Sequence, residues 1–161
     1  MKNFEIINIK DFMSHLLLKD TFDSFLCKKI SFDLLSSYHF EGKINKDYAT
    51  EAELNDSGDN KYVFWNKLRP VCSDIIIHNR TPISIKAVFL LSNESLTKFL
   101  ANSGLSYQLS DVSGLFINIR FEKGKLTLIT GSSLNSFSLD KSLDISWDDA
   151  FMLFLKKYNI N

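Results

Sequence analysis

The chain has 161 residues, of which 45% are apolar and 14 are Phe, and its formal net charge at pH 7 is zero. A chain of this length fits one domain, residues 1–161, that can bury an aromatic core without help from a disulfide or a metal. Zero net charge argues against proteins whose main task is to coat nucleic acid or an anionic membrane, because those rely on a global positive field.

The N-terminal stretch, the lengths of the apolar runs and the cysteines indicate where in the cell the protein is expected. The N-terminal stretch carries Glu5 and Asp11 where a secretory leader would have an apolar core. Apolar runs such as Val88–Leu91 are too short to span a bilayer. We therefore expect a soluble cytoplasmic protein, with no membrane partner, in which Cys27 and Cys72 are reduced and buried.

The first predicted element is an amphipathic helix that ends at Asp20 and Thr21. Its apolar residues recur at the spacing of one helical face: Ile9, Phe12, Met13, Leu16 and Leu17. From residue 24 to residue 43 the apolar period changes to two, with a break at Ser36 and Ser37. This pattern predicts one long bent strand or two pairing strands.

Residues 45–60, here called the acidic segment, contain five acids and a single base, Lys46. The end of the segment is rich in Asn, Asp, Ser and Gly, which is typical of a solvated loop. We expect a mobile surface loop with one helical turn around residues 51–54.

Residues 65–80, here called the basic segment, contain two of the three arginines of the chain. Between Lys61 and Lys86 there are five basic residues and one acid, Asp74, which gives a local net charge of +4. Proline is favoured at the first position of a helix, so we predict a short helix that begins at Pro70. Its inward residues would be Val71, Cys72, Ile75 and Ile76.

The basic segment supplies the candidate binding residues: Trp65, Lys67, Arg69, His78 and Arg80. Cations stabilise the exposed carbonyls at the C-terminus of a helix, which accounts for His78 and Arg80 without a ligand. Arg69 gains nothing at a helix N-terminus. It therefore needs another partner, which is an acidic side chain, the face of Trp65 or a ligand.

The second half of the chain alternates strands and helices. We predict a central strand over residues 83–91, a helix over 94–102, a β-hairpin that turns at 122–124, and a short strand that includes Phe137 and Leu139. A final helix begins at Trp147 with Ser146 as its N-cap. The order predicts an α+β fold with an antiparallel or mixed sheet, about four helices, and helices mainly on one face of the sheet.

No motif for catalysis stands out. The three histidines fall in three different elements, and none has a second metal ligand at i+3 or i+4. The Ser-rich run at residues 131–138 lies between two strands, whereas a phosphate loop leads into a helix N-terminus. We therefore predict no catalytic residue, no metal and no cofactor.

Several stretches together resemble a family of small Firmicutes proteins, clostridial in type, that is described only as a domain of unknown function. The resemblance covers nearly the whole chain. It is carried by the LRP and RTP tripeptides, the DTFDSFL and INKDY stretches, the hairpin from SGL to LTLITG, and FSLDKSLD followed by Trp147. It implies a free-standing cytoplasmic bacterial protein and no particular activity.

Residues 92–131 alone are similar to the repeated unit of bacterial DNA sliding clamps, in which a helix leads into a strand, a turn and a strand. A clamp needs several such units around a ring, and this chain has room for about one.

Three functional classes remain open. The first is a non-enzymatic binding or interaction protein that uses the basic segment to bind an acidic protein partner or a second copy of itself. The second is a clamp-like protein associated with nucleic acid, which zero net charge disfavours. The third is an enzyme of unassigned class, whose pocket would gather at least two residues from this set: Arg69, Asp74, His78, Arg80 and Arg120.

Overall fold

The computed structural model describes all of residues 1–161 and contains six strands and five α-helices. The strands are β1 Asn3–Ile6, β2 Phe25–Asp33, β3 Ser37–Glu41, β4 Ser84–Leu91, β5 Val112–Glu122 and β6 Lys125–Leu134. The helices are α1 Ile9–Leu17, α2 Glu51–Ser57, α3 Trp65–Ile77, α4 Asn93–Asn102 and α5 Ser142–Lys157, with a 3-10 turn at Leu109–Asp111.

The strands form one antiparallel sheet in the order β1-β6-β5-β4-β2-β3. The predicted α+β class is confirmed, and of the two kinds of sheet left open it is the antiparallel one. The break at Ser36 separates two strands of a hairpin, β2 and β3, and β4 lies in the interior of the sheet as expected. The number of helices is five, against about four predicted.

Alternation along the strands determines which side of the sheet is covered. In β5, Leu115, Ile117 and Ile119 are buried, whereas Phe116 and Asn118 between them are partly exposed. Since successive side chains of a strand point to opposite faces, the helices cover one face only. Helices α1, α3, α4 and α5 all contribute to the single core on that side.

Helix α3 begins at Trp65, five residues before the predicted start at Pro70. The indole N–H of Trp65 donates to the carbonyl oxygen of Leu16 at 2.8 Å, and its ring is fully buried. This contact fixes the beginning of the helix, while Pro70 is accommodated one and a half turns later at the cost of one backbone hydrogen bond. Val71, predicted to point inward, is 43% exposed.

The C-terminal region also differs from the prediction. Helix α5 begins at Ser142 rather than at Trp147, so Ser146 lies inside the helix. Phe137 and Leu139 belong to no strand and are almost fully exposed. Strand β1 was not predicted at all, because its four residues are too few to show a period.

The acidic segment contains helix α2, which is longer than the single turn predicted for it. Thr50 and Glu53 form a capping box at its start, in which each side chain accepts a hydrogen bond from the backbone N–H of the other residue. No residue of α2 is buried, so the helix adds nothing to the core. The segment's mobility stays a prediction.

The chain leaves β3 for the acidic segment at Gly42, where two backbones come into close contact. The N–H of Gly42 donates to the carbonyl oxygen of Lys28, and the carbonyl oxygen of Gly42 accepts from Val63. A Cβ atom on Gly42 would lie 1.6 Å from the carbonyl oxygen of Cys27, so only glycine fits.

None of the helices has the length and hydropathy that crossing a membrane requires.

Candidate functional site

Two of the five predicted binding residues have partners on distant parts of the chain. The ring centroids of Trp65 and Phe89 are 5.1 Å apart, and the indole N–H of Trp65 donates to the carbonyl oxygen of Leu16. Arg69 donates from Nε and Nη2 to the two carboxylate oxygens of Asp23, at 2.8 and 2.9 Å. The hydrogen bonds to Asp23 raise the pKa of Arg69 above its ordinary value. Of the three partners considered for Arg69, the structure contains the acidic side chain.

The other three predicted residues lie on the surface. His78 places Nδ1 2.7 Å from the carbonyl oxygen of Asp74, in the last turn of α3. Lys67 lines a hollow of about 260 Å³ that it shares with Tyr48 of the acidic segment. Arg80 lines a different and larger groove. The five residues therefore do not converge on one site, and their role in binding stays a prediction.

The groove that Arg80 lines has a volume of about 630 Å³ and is here called the α1–α3 groove. It lies between α1, the end of α3 and the loop that leads into β4. Its apolar lining residues are Ile9, Met13, Leu17, Ile76, Ile77, Pro82, Ile85 and Phe121. Lys10 and Arg80 are its charged residues; no acid lines it, and neither cation forms an ion pair.

Exposed isoleucines extend the apolar character of the groove. Ile77 lines it and is 52% exposed, and Ile83, next to the lining residue Pro82, is 72% exposed. Single exposed apolar side chains are ordinary, but a contiguous set around a groove is typical of an interaction surface.

The second candidate surface is the side of the sheet without helices, here called the open face. Strand register arranges its side chains in rows. Lys86 of β4 lies directly opposite Arg120 of β5. In the next row, Lys29, Val88 and Asn118 lie side by side on β2, β4 and β5.

Two adjoining hollows of about 550 and 470 Å³ cover much of the open face and share the middle row. Their lining includes five cations and a single carboxylate, that of Glu41. The cations are Lys28, Lys29, Lys61, Lys86 and Arg120. Glu122, just outside the lining, pairs with Arg120 at 2.7 Å and more loosely with Lys86 at 4.0 Å. Lys28, Lys29 and Lys61 form no ion pair, although Glu41 lies directly opposite Lys29 on β3, and the two hollows carry excess positive charge.

Phe116 lies at the apolar end of the open face and lines the hollow of about 470 Å³ there. It is directly opposite Gly131, where an added Cβ would lie 2.4 Å from two carbons of the Phe116 ring. The ring therefore covers the glycine. Because Gly131 has no side chain, the ring can approach the sheet this closely.

The residues predicted for an enzyme pocket do not gather in one: Asp74 and His78 lie 3.3 Å apart, but both side chains are exposed and line none of the hollows described above. Of that set, Arg80 lines the α1–α3 groove, Arg120 lines the open face, and Arg69 is bound to Asp23. Burial raises the pKa of both cysteine thiols, Cys27 and Cys72, to about 12, so neither is a thiolate at neutral pH. No group of three or more His, Cys, Asp or Glu side chains is placed to hold a metal ion.

Sequence reasoning missed the open face as a unit. Its signal is the cation that alternates with apolar residues in three separate strands, at Lys29, Lys86 and Arg120. The sequence shows this alternation strand by strand. Only the pairing of the strands brings the cations together.

A family model described as "Family of unknown function (DUF5721)" matches residues 15–161, which is all of the chain beyond the first turns of α1. No curated protein and no solved structure matches the chain.

Proposed function

Because the chain belongs to the DUF5721 family, whose function is unknown, we propose a function from the geometry: it is a non-enzymatic binding protein that holds an acidic amphipathic helix of a partner protein in the α1–α3 groove. This keeps the class predicted from the sequence and assigns the partner to the groove beside Arg80. Lys67 and His78, also exposed, lie outside the lining of the groove.

The observation that carries the proposal is the pairing of an apolar floor with two unpaired cations and no acid. An amphipathic helix binds such a groove through apolar residues at positions i, i+3, i+4 and i+7. Acidic residues on the flanks of that helix would pair with Lys10 and Arg80. Electrostatic complementarity of this kind selects partners and speeds encounter more than it adds affinity.

The proposal gives Arg80 a role that helix capping does not supply. His78 hydrogen-bonds the C-terminal turn of α3, whereas Arg80 makes no side-chain hydrogen bond and no ion pair within the chain. A cytoplasmic location and a Firmicutes source belong to the same proposal. The two free, buried cysteines support the first.

The test is photo-crosslinking in an extract of the source cells, with a photoreactive residue at Thr81 in the groove. We expect one dominant adduct, which Arg80→Glu and Ile77→Ser each reduce by about tenfold or more, equivalent to about 1.4 kcal/mol of binding free energy. The crosslinked segment is then synthesised in two forms, with its Glu residues and with Gln in their place. The wild-type protein should bind the Glu form more tightly, and Arg80→Glu should remove that preference.

Two matched variants serve as controls. His78→Ala changes the same segment outside the groove, and Arg120→Glu reverses a charge on the open face. Neither should change the adduct. Equal adducts from the wild-type protein and Arg80→Glu, with both folded, would show that the groove is not the binding surface.

A further inference from the structure

We propose that the open face of the sheet is a second binding site, and that its ligand is single-stranded nucleic acid. The site is separate from the α1–α3 groove and does not depend on the function proposed there.

The charges of the open face are arranged for a polyanion. Lys86 and Arg120 lie directly opposite each other, and like charges in that position destabilise a sheet. Glu122 is the single acid bonded to both. With Lys28 and Lys29 on the neighbouring strand, these cations form a band across three strands that the fold itself does not require.

The middle of the open face offers surface for bases rather than for phosphates. The Phe116 ring covers Gly131 and lines one of the hollows, and Val88 and Ile129 are apolar neighbours on the same face. Bases stack on aromatic side chains with little regard for sequence, since every base has a π-face. Asn118, in the row between Val88 and Ile129, supplies a donor and an acceptor for base edges.

The charge of the whole chain is no obstacle, because the local charge differs between regions. The acidic segment has five acids and one base, and its helix has no buried residue, while the two hollows of the open face have Glu41 as their only acid. Zero net charge therefore coexists with a local excess of positive charge in the hollows. It predicts binding of moderate affinity that depends strongly on salt.

Single strands fit this face better than a duplex or an acidic polypeptide does. In a duplex the bases are stacked on one another, so the Phe116 ring would contact none of them. An acidic polypeptide would pair with the lysines, but it has no bases to stack on the Phe116 ring.

The test is fluorescence anisotropy with a labelled oligothymidylate of about 20 nucleotides, long enough for a site of this kind, in about 50 mM salt. We expect micromolar binding whose logarithm falls linearly with the logarithm of salt concentration. The slope should be about −0.7 for each phosphate contacted. A duplex of the same length and poly-glutamate should both bind at least about tenfold more weakly, since neither offers an unstacked base to the Phe116 ring.

Variants separate stacking from charge. Phe116→Leu keeps an apolar cover over Gly131 but removes the ring, and it should weaken binding about 10-fold or more with the salt slope unchanged. Lys29→Glu and Arg120→Glu should lower both the affinity and the slope. The matched controls are Phe137→Leu and Lys156→Glu, which alter the same residue types away from the open face and should have no effect.

Three results would overturn the proposal. The first is no anisotropy change at micromolar protein in low salt, and the second is an equal loss of affinity in the control variants. The third is that poly-glutamate binds as tightly as oligothymidylate while Phe116→Leu leaves the affinity unchanged. The last result would assign the face to an acidic protein instead. Circular dichroism of each variant ensures that a lost signal is not lost folding.

Discussion

The two faces of the sheet share the same six strands but differ in what selects their residues. On the covered face every position of β5 from Leu115 to Ile119 that points inward is fully buried in the core. On the open face, Phe116, Asn118 and Arg120 alternate with them and have no layer above them. Packing determines the first set, since a core tolerates little change of volume. It leaves the second set free to vary, so the cations and the aromatic ring there carry more information about function.

The covered face should respond most strongly to loss of volume. Phe89 is fully buried on β4, with the rings of Phe22 and Trp65 at centroid distances of 5.9 and 5.1 Å. We expect Phe89→Ala to lower the free energy of unfolding by about 3–5 kcal/mol, because the contacts around it cannot collapse into the cavity. Phe116→Ala on the open face should cost about 1.5 kcal/mol or less. Urea denaturation of both variants measures the difference, and equal losses would contradict the distinction between the faces.

The next effect concerns two arginines with carboxylate partners. Arg69 is partly buried in its bidentate pair with Asp23, with 23% of its side chain exposed, whereas the Arg120 side chain is 54% exposed in its pair with Glu122. Arg69→Ala should cost about 1.5–3 kcal/mol, as is typical of hydrogen bonds to charged groups. Arg120→Ala should cost less than about 1 kcal/mol because water screens an exposed pair. Arg69→Lys should recover only part of the loss, since an ammonium cannot donate two parallel hydrogen bonds to one carboxylate.

The covered side also holds a titratable group away from water. His15 is buried, with Nδ1 2.7 Å from Thr21 Oγ1, and burial, aided by the charge of Lys19, lowers its pKa below the ordinary 6.5 against the opposing effect of Asp11. Below pH 6.5 the unfolded chain binds this proton more readily than the folded one does, so the contribution of His15 is complete above that pH and is lost as the pH falls.

We therefore expect the free energy of unfolding to decline between neutral pH and about pH 5, above the range in which carboxylates titrate. His15→Asn keeps a polar atom near Thr21 and should flatten the decline. Denaturation of both proteins at a series of pH values measures it. A wild-type protein with no pH dependence in this range would show that the unfolded and folded chains bind the His15 proton equally.

The smallest effect on stability should come from the open face itself. The atoms that would obstruct a methyl group on Gly131 belong to the ring of Phe116, which can move. Gly131→Ala should therefore change the free energy of unfolding by less than about 1 kcal/mol. It should still tilt the ring off the sheet and weaken oligothymidylate binding about threefold, a fraction of a stacking contact. Phe137→Leu, away from the open face, is the control and should leave oligothymidylate binding unchanged.

Much of the fold could be predicted from the sequence because local patterns determined it. Three patterns of about a dozen residues or fewer each predict the structure that is observed. They are the spacing from Ile9 to Leu17, the alternation in β5 and the turn before β6. Where prediction failed, distant contacts decided. Trp65 begins α3 because it reaches Leu16, and β1 exists because β6 pairs with it.

The site was less predictable, for a related reason. The sequence predicts binding residues in the basic segment because rare residue types cluster there. In the structure, Trp65 and Arg69 are bonded within the fold, and of the predicted residues only Arg80 lines the α1–α3 groove. The open face is assembled from cations that the sequence separates by dozens of residues. The order of the strands in the sheet brings these cations together, and no local sequence pattern specifies that order.

Gly42 has a consequence for the family as a whole. Any side chain there would collide with the backbone of β2, and neither main chain can move without breaking the hydrogen bonds on both sides. Selection should therefore keep a glycine at this position in every DUF5721 member that retains the excursion between β3 and α3. Family members that lack the segment between β3 and α3 should vary at this position. A glycine here should therefore identify the members that contain a helix equivalent to α2.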